Sequence, residues 1–210
     1  MDTNSHTLTS EIFDCSTVTS FINQVPFNQI NLFCLHVNIR SMKKHFPKLL
    51  LLINSCNTPI DVIILTEVGI SLGISSLYNI DGYKVHTELR SKQRGGGIIV
   101  YVKSYLKFTQ LTTFTTTSFE LLSGNLVTAD GIAVTLCAFY RPPRTNENTF
   151  ISELSQVLDG SSNTNIIILG DANIDLKTNN SIRSRYIDML SERGFNAGIT
   201  DYTRIEKRLK

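Results

Sequence analysis

The sequence predicts an α/β domain built on mixed sheets, for three reasons. Short runs rich in Ile, Val and Leu recur from residue 32 onward and read as buried strands. Stretches with apolar residues at helical spacing lie between some of them. The connections alternate between tight hairpin turns and helix-length crossovers, a mixture that argues against a doubly wound parallel sheet. With 210 residues, 41% hydrophobic and 18% charged, the chain has enough apolar material for one real core.

Taken in order, residues 1–29 are polar and read as an extension with one short helix around Phe13 to Asn23; the folded domain is expected over 30–210. "LFCLHV" is the first strand. Phe46, Leu49, Leu50, Ile53 and Cys56 then fall at helical spacing, with Pro47 expected in the first turn. "DVIIL" is apolar on both faces and so buried. "GYKVHTEL" and "GGIIVYV" are two more strands, separated by the basic loop "RSKQRGG". "FELLSGNLVT" and "IAVTLCAFY" flank Ala-Asp-Gly at 129–131, a hairpin signal. Phe150, Ile151, Leu154, Val157 and Leu158 share a helix face. "NIIIL" is the next strand, and Ile182, Tyr186, Met189 and Leu190 mark a helix capped near Gly194.

Several function classes are disfavoured at this level. The formal net charge is +2, from 20 basic and 18 acidic residues, so overall charge does not argue for nucleic acid; only clustering does. The cysteines Cys15, Cys34, Cys56 and Cys137 lack metal or redox spacing, and Cys34 and Cys137 read as small core residues. The start of the chain has no signal-peptide pattern, and the longest apolar runs are far too short to span a membrane. An intracellular location is the expectation.

Polar residues recur where apolar strands end. "LHVN" ends on Asn38, "VIILTE" on Glu67, "LCAFYRPP" carries Tyr140 and Arg141, and "IIILGDAN" carries Asp171 and Asn173. A buried strand fixes the groups at its end. Carboxylate and amide oxygens converging from several strands suit a hard cation such as Mg²⁺, and a neighbouring Tyr and Arg suit a phosphate. The pattern reads as metal-assisted hydrolysis of a phosphate ester. Taken singly, each residue has a plainer reading: Asp171 as a turn former, Glu67 as a solvated loop residue, Tyr140 as packing before Pro, His36 as a satisfied core histidine. The glycines at 95–97 read as a tight turn. The convergence of four strand ends carries the functional reading.

With these motifs in view, the chain resembles the endonuclease/exonuclease/phosphatase superfamily, most closely the endonuclease domain of LINE-type (non-LTR) retrotransposons. The matching residues are "LHVNIRSM", "DVIILTE", "RGGGIIVYV", "FYRPP", "ILGDANIDL" and "YTR" at 202–204, in the family's order. The resemblance implies a four-layer α/β sandwich of two facing mixed sheets and DNA nicking with Mg²⁺ or Mn²⁺. It implies that Glu67 is the principal metal ligand and that Asn38 supports the metal side. Tyr140 would contact the scissile phosphate with Arg141 assisting, Asp171 would orient or activate water, and Asn173 would bond a phosphate oxygen. Asp175 has no family role and reads as a surface or turn residue.

The chain also departs from the family pattern. Ala172 stands where the family has Phe or another bulky residue, and "TEVGI" lacks the aromatic that commonly follows the metal-binding Glu. The sequence after "YTR" reads "IEKRLK", without the family's Ser-x-x-Asp-His motif, so the last strand is expected to be missing and catalysis impaired. Basic residues cluster at Arg40, Lys43, Lys44, His45 and Lys48, and at Arg90, Lys92 and Arg94; both clusters suit contacts to a DNA backbone. DNA is the expected partner, with a reverse transcriptase domain in a longer parent protein and nuclear access implied by the resemblance alone. The alternatives are a non-catalytic retroelement remnant and a phosphatase or other phosphoesterase of the same superfamily.

Overall fold

The computed structural model describes residues 23–24, 32–90, 95–128, 130–160, 165–196 and 198, without the side chain of residue 114. Of the expected helix over Phe13 to Asn23 only Asn23 is described, and it is helical together with Gln24; the 29/30 domain boundary and the "YTR" element with the tail after it lie outside the described residues. Two four-stranded sheets face each other, ordered β1-β2-β4-β3 and β5-β6-β7-β8. The strands are β1 (Cys34–Asn38), β2 (Val62–Thr66), β3 (Tyr83–Glu88), β4 (Ile98–Lys103), β5 (Lys107–Thr115), β6 (Glu120–Val127), β7 (Ala133–Tyr140) and β8 (Ile166–Asp171). Among the described residues the complete helices are α1 (Met42–Ser55), α2 (Glu147–Asp159) and α3 (Ser181–Ser191), with a 3-10 helix at Leu72–Tyr78.

Three apolar layers hold the sandwich. Val62, Ile64, Val100 and Val102 point inward from the first sheet to meet Leu122, Leu126, Leu136 and Ala138 of the second. The alternate residues Ile63, Leu65, Ile99 and Tyr101 face outward onto Met42, Phe46 and Leu49 of α1. Leu121, Cys137 and Phe139 face outward from the second sheet onto Phe150, Leu154, Tyr186 and Met189 of α2 and α3. Continuous apolar runs such as "VIIL" are thus explained: both faces of β2 are covered. The result is the expected four-layer sandwich of mixed sheets.

Two crossovers set the geometry of one edge. β1 and β2 are parallel and joined through α1; β7 and β8 are parallel and joined through α2. The remaining pairs are antiparallel, including β6–β7, where Thr128 N donates to Ile132 O (3.0 Å) beyond the end of β6. The carboxyl ends of the two parallel pairs, Asn38 with Thr66 and Tyr140 with Asp171, are adjacent in register.

One expectation needs correction, and one strand has no counterpart in the sequence reading. Pro47 lies inside α1 rather than in its first turn, because the helix starts earlier: the Ser41 carbonyl accepts from Lys44 N (3.2 Å) and His45 N (3.0 Å). Pro47 itself is exposed. Strand β5 was not legible. A bulge between Gln110 and Thr112 interrupts its pairing, so Leu111 turns out to solvent and the two-residue alternation breaks. Among the described residues, no helix is long and apolar enough to cross a membrane.

Candidate active site

Gly170 shows why the sequence changes character at a strand end. It pairs with Phe139 across β7–β8. A Cβ on Gly170 would sit 2.1 Å from the Phe139 carbonyl oxygen, so only glycine permits this approach. The close contact brings Tyr140 and Asp171 side by side as the last residues of their strands. On the other sheet, Asn38 closes β1 and Glu67 follows β2 by one residue.

Asn38 ties the two sheets together at this edge. Its amide nitrogen donates to Glu67 Oε1 (2.9 Å) and to Asp171 Oδ2 (2.6 Å). Its amide oxygen accepts from Arg40 N (3.2 Å). The orientation is fixed by its partners, since an oxygen facing two carboxylates would have no proton to share. The nitrogen therefore faces the carboxylates, and it has no lone pair for a cation. Asn38 thus holds the two carboxylates in place.

Tyr140 is buried and its hydroxyl is hydrogen-bonded to Glu67. Burial, then the neighbouring Glu67 and Asp171, push its pKa up, so it is a protonated donor at neutral pH. His36, on β1, meets Thr66 Oγ1 at 3.2 Å. Burial lowers its pKa to about 4 against the opposing pull of Asp171.

The loop after β8 is held from below. Asp171 Oδ1 accepts from Asn173 N (2.9 Å), and Asn173 Nδ2 donates to the Arg141 carbonyl (2.7 Å). Arg141 takes a different position from the one expected. It is 1% exposed, and its guanidinium donates to the carbonyls of Ala172, Thr145 (2.7 Å) and Asn173 (2.7 Å), with Glu147 at 3.6 Å. Its charge lies 5.9 Å from the Phe150 ring centre. Burial lowers its pKa, and Glu147 and then Asp171 oppose that shift. With its donors turned to backbone carbonyls under the loop, Arg141 staples the loop instead of reaching a phosphate. Asp175 is the expected turn residue, capping Lys177 N (2.9 Å) and Thr178 N (3.3 Å).

The strained positions among the described residues gather here. The non-glycine residues with positive φ are Arg40 (56°), Glu67 (54°) and Asn173 (48°). Left-handed backbone at such residues persists where the surroundings over-determine it, and it clusters at functional sites.

The basic clusters divide. Arg40, Lys43 and Lys44 are exposed at the start of α1, where the helix has no acidic residue in its first turn. Arg90 is instead ion-paired with Glu120, whose side chain is 1% exposed. Its Nε is held by that buried carboxylate. Lys92 and Arg94 lie outside the described residues.

Glu120 went unnoticed in the sequence. Its signal is one acidic residue opening an otherwise apolar strand, "FELL", with a basic loop available to pair it. Its pKa is raised by burial, opposed by Arg90 and the Gly97 N–H.

Among the described residues, no group of three or more His, Cys, Asp and Glu side chains is arranged to hold a metal. The site offers two carboxylates joined by one amide. That donor chemistry fits Mg²⁺, which is commonly held by one or two carboxylates together with waters and substrate phosphates.

Comparison by sequence with curated proteins finds no match. Solved structures share the fold. The endonuclease domain of TRAS1, a telomere-specific non-LTR retrotransposon, matches with a TM-score of 0.59 at 17% identity, over 77% of this chain and 70% of that one. The AP endonuclease LMAP from Leishmania major matches with a TM-score of 0.57 at 13% identity, over 81% and 70%. The 3′ phosphatase NExo from Neisseria, bound to a product DNA hairpin, matches with a TM-score of 0.53 at 12% identity, over 76% and 70%. Residues 35–203, which include every strand end described above, match the model of the Endonuclease/Exonuclease/phosphatase family, and the chain belongs to that family.

Proposed function

We propose that the chain is a metal-dependent phosphodiesterase of the retrotransposon-endonuclease kind, acting on DNA. The observation that carries this reading is the Asn38 bridge: one amide nitrogen holds Glu67 of one sheet and Asp171 of the other. Two carboxylates brought together at a rigid edge repel each other, and a divalent cation relieves that repulsion. The likeness to the TRAS1 endonuclease domain and to the DNA-bound NExo structure supports DNA as substrate.

In this reading Glu67 holds Mg²⁺, which when bound neutralises charge on the phosphoryl oxygens. Asp171, fixed by Asn38 and by Asn173 N, orients a water and accepts its proton as the water oxygen bonds to phosphorus and the P–O bond to the leaving group breaks. The second hydrogen of Asn173 Nδ2 is the donor to a phosphate oxygen. Tyr140 supports Glu67 through its hydroxyl. Arg40, Lys43 and Lys44 contact the DNA backbone, helped by the positive end of α1.

The test is nicking of supercoiled plasmid by the purified chain with Mg²⁺, beside an EDTA blank and Asp171→Ala. Nicking that disappears in both controls is the expected result. A folded chain that binds Mg²⁺ and leaves the plasmid intact would replace this reading with that of a non-catalytic remnant.

A further inference from the structure

Glu67 sits at φ 54°, one residue beyond β2, so something must hold it there. The segment that follows is gripped from two sides. Val68 O accepts from Met42 N at the start of α1 (2.9 Å). Gly69 N donates to Gly96 O (3.0 Å), and Val68 N approaches Gly97 O at 3.5 Å. The glycine run that lies against Glu67 to Gly69 has positive φ throughout, at 85°, 70° and 86°. It is therefore a shaped support, and more than a tight turn entering β4.

That support is itself clamped by a buried carboxylate. Glu120 Oε2 accepts from Gly97 N (2.6 Å), and Oε1 takes the Arg90 guanidinium. The packing leaves no spare volume. A Cβ on Gly96 would lie 2.5 Å from Glu120 Oε1 and 2.6 Å from Arg90 Cζ, and one on Gly97 would lie 2.8 Å from Val68 Cγ2. Glu120 opens β6 and pairs in register with Tyr140, so its backbone is fixed by the same sheet that carries the other half of the site.

We propose that Glu120 is a positioning residue: through Gly97 and Gly96 it sets the backbone of Val68 and Gly69, and thereby the aim of the Glu67 carboxylate toward a divalent cation. This inference rests on the reading of Glu67 as the cation ligand. A buried carboxylate serving only stability would change the melting temperature and leave cation affinity alone. One that aims a ligand changes affinity in a chain that is still folded, and outer-shell partners of this kind typically control it by about tenfold to a hundredfold.

The experiment is calorimetric titration of MnCl₂ into the wild type, Glu67→Ala, Glu120→Ala, Glu120→Gln and Gly96→Ala, each with a thermal melt. Glu67→Ala is expected to abolish binding. Glu120→Ala and Gly96→Ala, still folded, are expected to weaken it by about tenfold to a hundredfold. Glu120→Gln, which keeps one acceptor oxygen, should fall between Glu120→Ala and the wild type. Wild-type affinity in folded Glu120→Ala and Gly96→Ala, whatever their melting temperatures, overturns the positioning role while the ligand reading stands. If Glu120→Ala does not fold, Gly96→Ala decides by the same criterion. Wild-type affinity in Glu67→Ala, or no binding by the wild type, overturns the ligand reading and this inference with it.

Discussion

Replacing Arg141 by Met tests the staple under the site loop. The substitution keeps most of the apolar stem and removes the guanidinium. Four backbone carbonyls, those of Ala172, Asn173, Thr145 and Pro142, lose charged donors at a position 1% exposed. Each carbonyl left unsatisfied costs about 1–3 kcal/mol, but the losses are not additive because the loop relaxes and a buried charge is also removed. A net loss of about 3–5 kcal/mol follows, comparable to breaking a buried ion pair. In a chain of 210 residues, at roughly 2–4 °C per kcal/mol, the melting temperature should fall by about 6–20 °C. Circular dichroism melts, with urea titration as an independent measure, read this directly. Arg141→Lys should recover only part of the loss, since an ammonium cannot reproduce the planar fork. A loss below about 1 kcal/mol in Arg141→Met would show that the carbonyls find other partners and that the staple is not what holds the loop.

Further predictions concern the same edge. Gly170→Ala forces β7 and β8 apart beside Tyr140 and Asp171 and should cost about 1–3 kcal/mol in urea titration; a neutral result would mean that the strands separate without strain. Glu67→Gly relieves a left-handed backbone worth about 1–2 kcal/mol while giving up two side-chain hydrogen bonds, so its melting temperature should stay within about 3 °C of the parent as cation binding is lost; a fall beyond about 10 °C would contradict this. His36 has its pKa lowered from 6.5 to about 4. The unfolded chain therefore takes up a proton there as pH drops below 6.5, while the folded chain resists until pH falls to about 4. The associated stability is fully present above pH 6.5 and falls with pH through this window by about 3 kcal/mol at most. His36→Gln should flatten that part of the urea-midpoint profile, and an unchanged slope would remove His36 as its source.

The strands at the centre of the sandwich were legible because burial on both faces demands continuous apolar runs, as in "VIIL" and "GIIVYV". β5 was not, because its bulge spoils the alternation that marks a half-buried strand. The polar strand ends were legible as positions: Asn38, Glu67, Tyr140, Asp171 and Asn173 do converge on one edge. Their division of labour was not. Whether Asn38 turns oxygen or nitrogen toward its neighbours depends on two carboxylates far away in sequence. Arg141 looks like a phosphate ligand in a one-dimensional motif, and only the fold shows carbonyls surrounding it. Arg90 reads as part of a basic loop, and only the fold shows its ion pair with Glu120, 30 residues later.

The edge joined by Asn38 is proposed as a cation-dependent phosphodiesterase site with Glu67 as its ligand. The most direct measurement is an anomalous difference map from crystals soaked in MnCl₂. A peak is expected about 2.1 Å from a Glu67 carboxylate oxygen, on the side facing Asp171. Density for the ion elsewhere in the molecule, with none at Glu67, would contradict it.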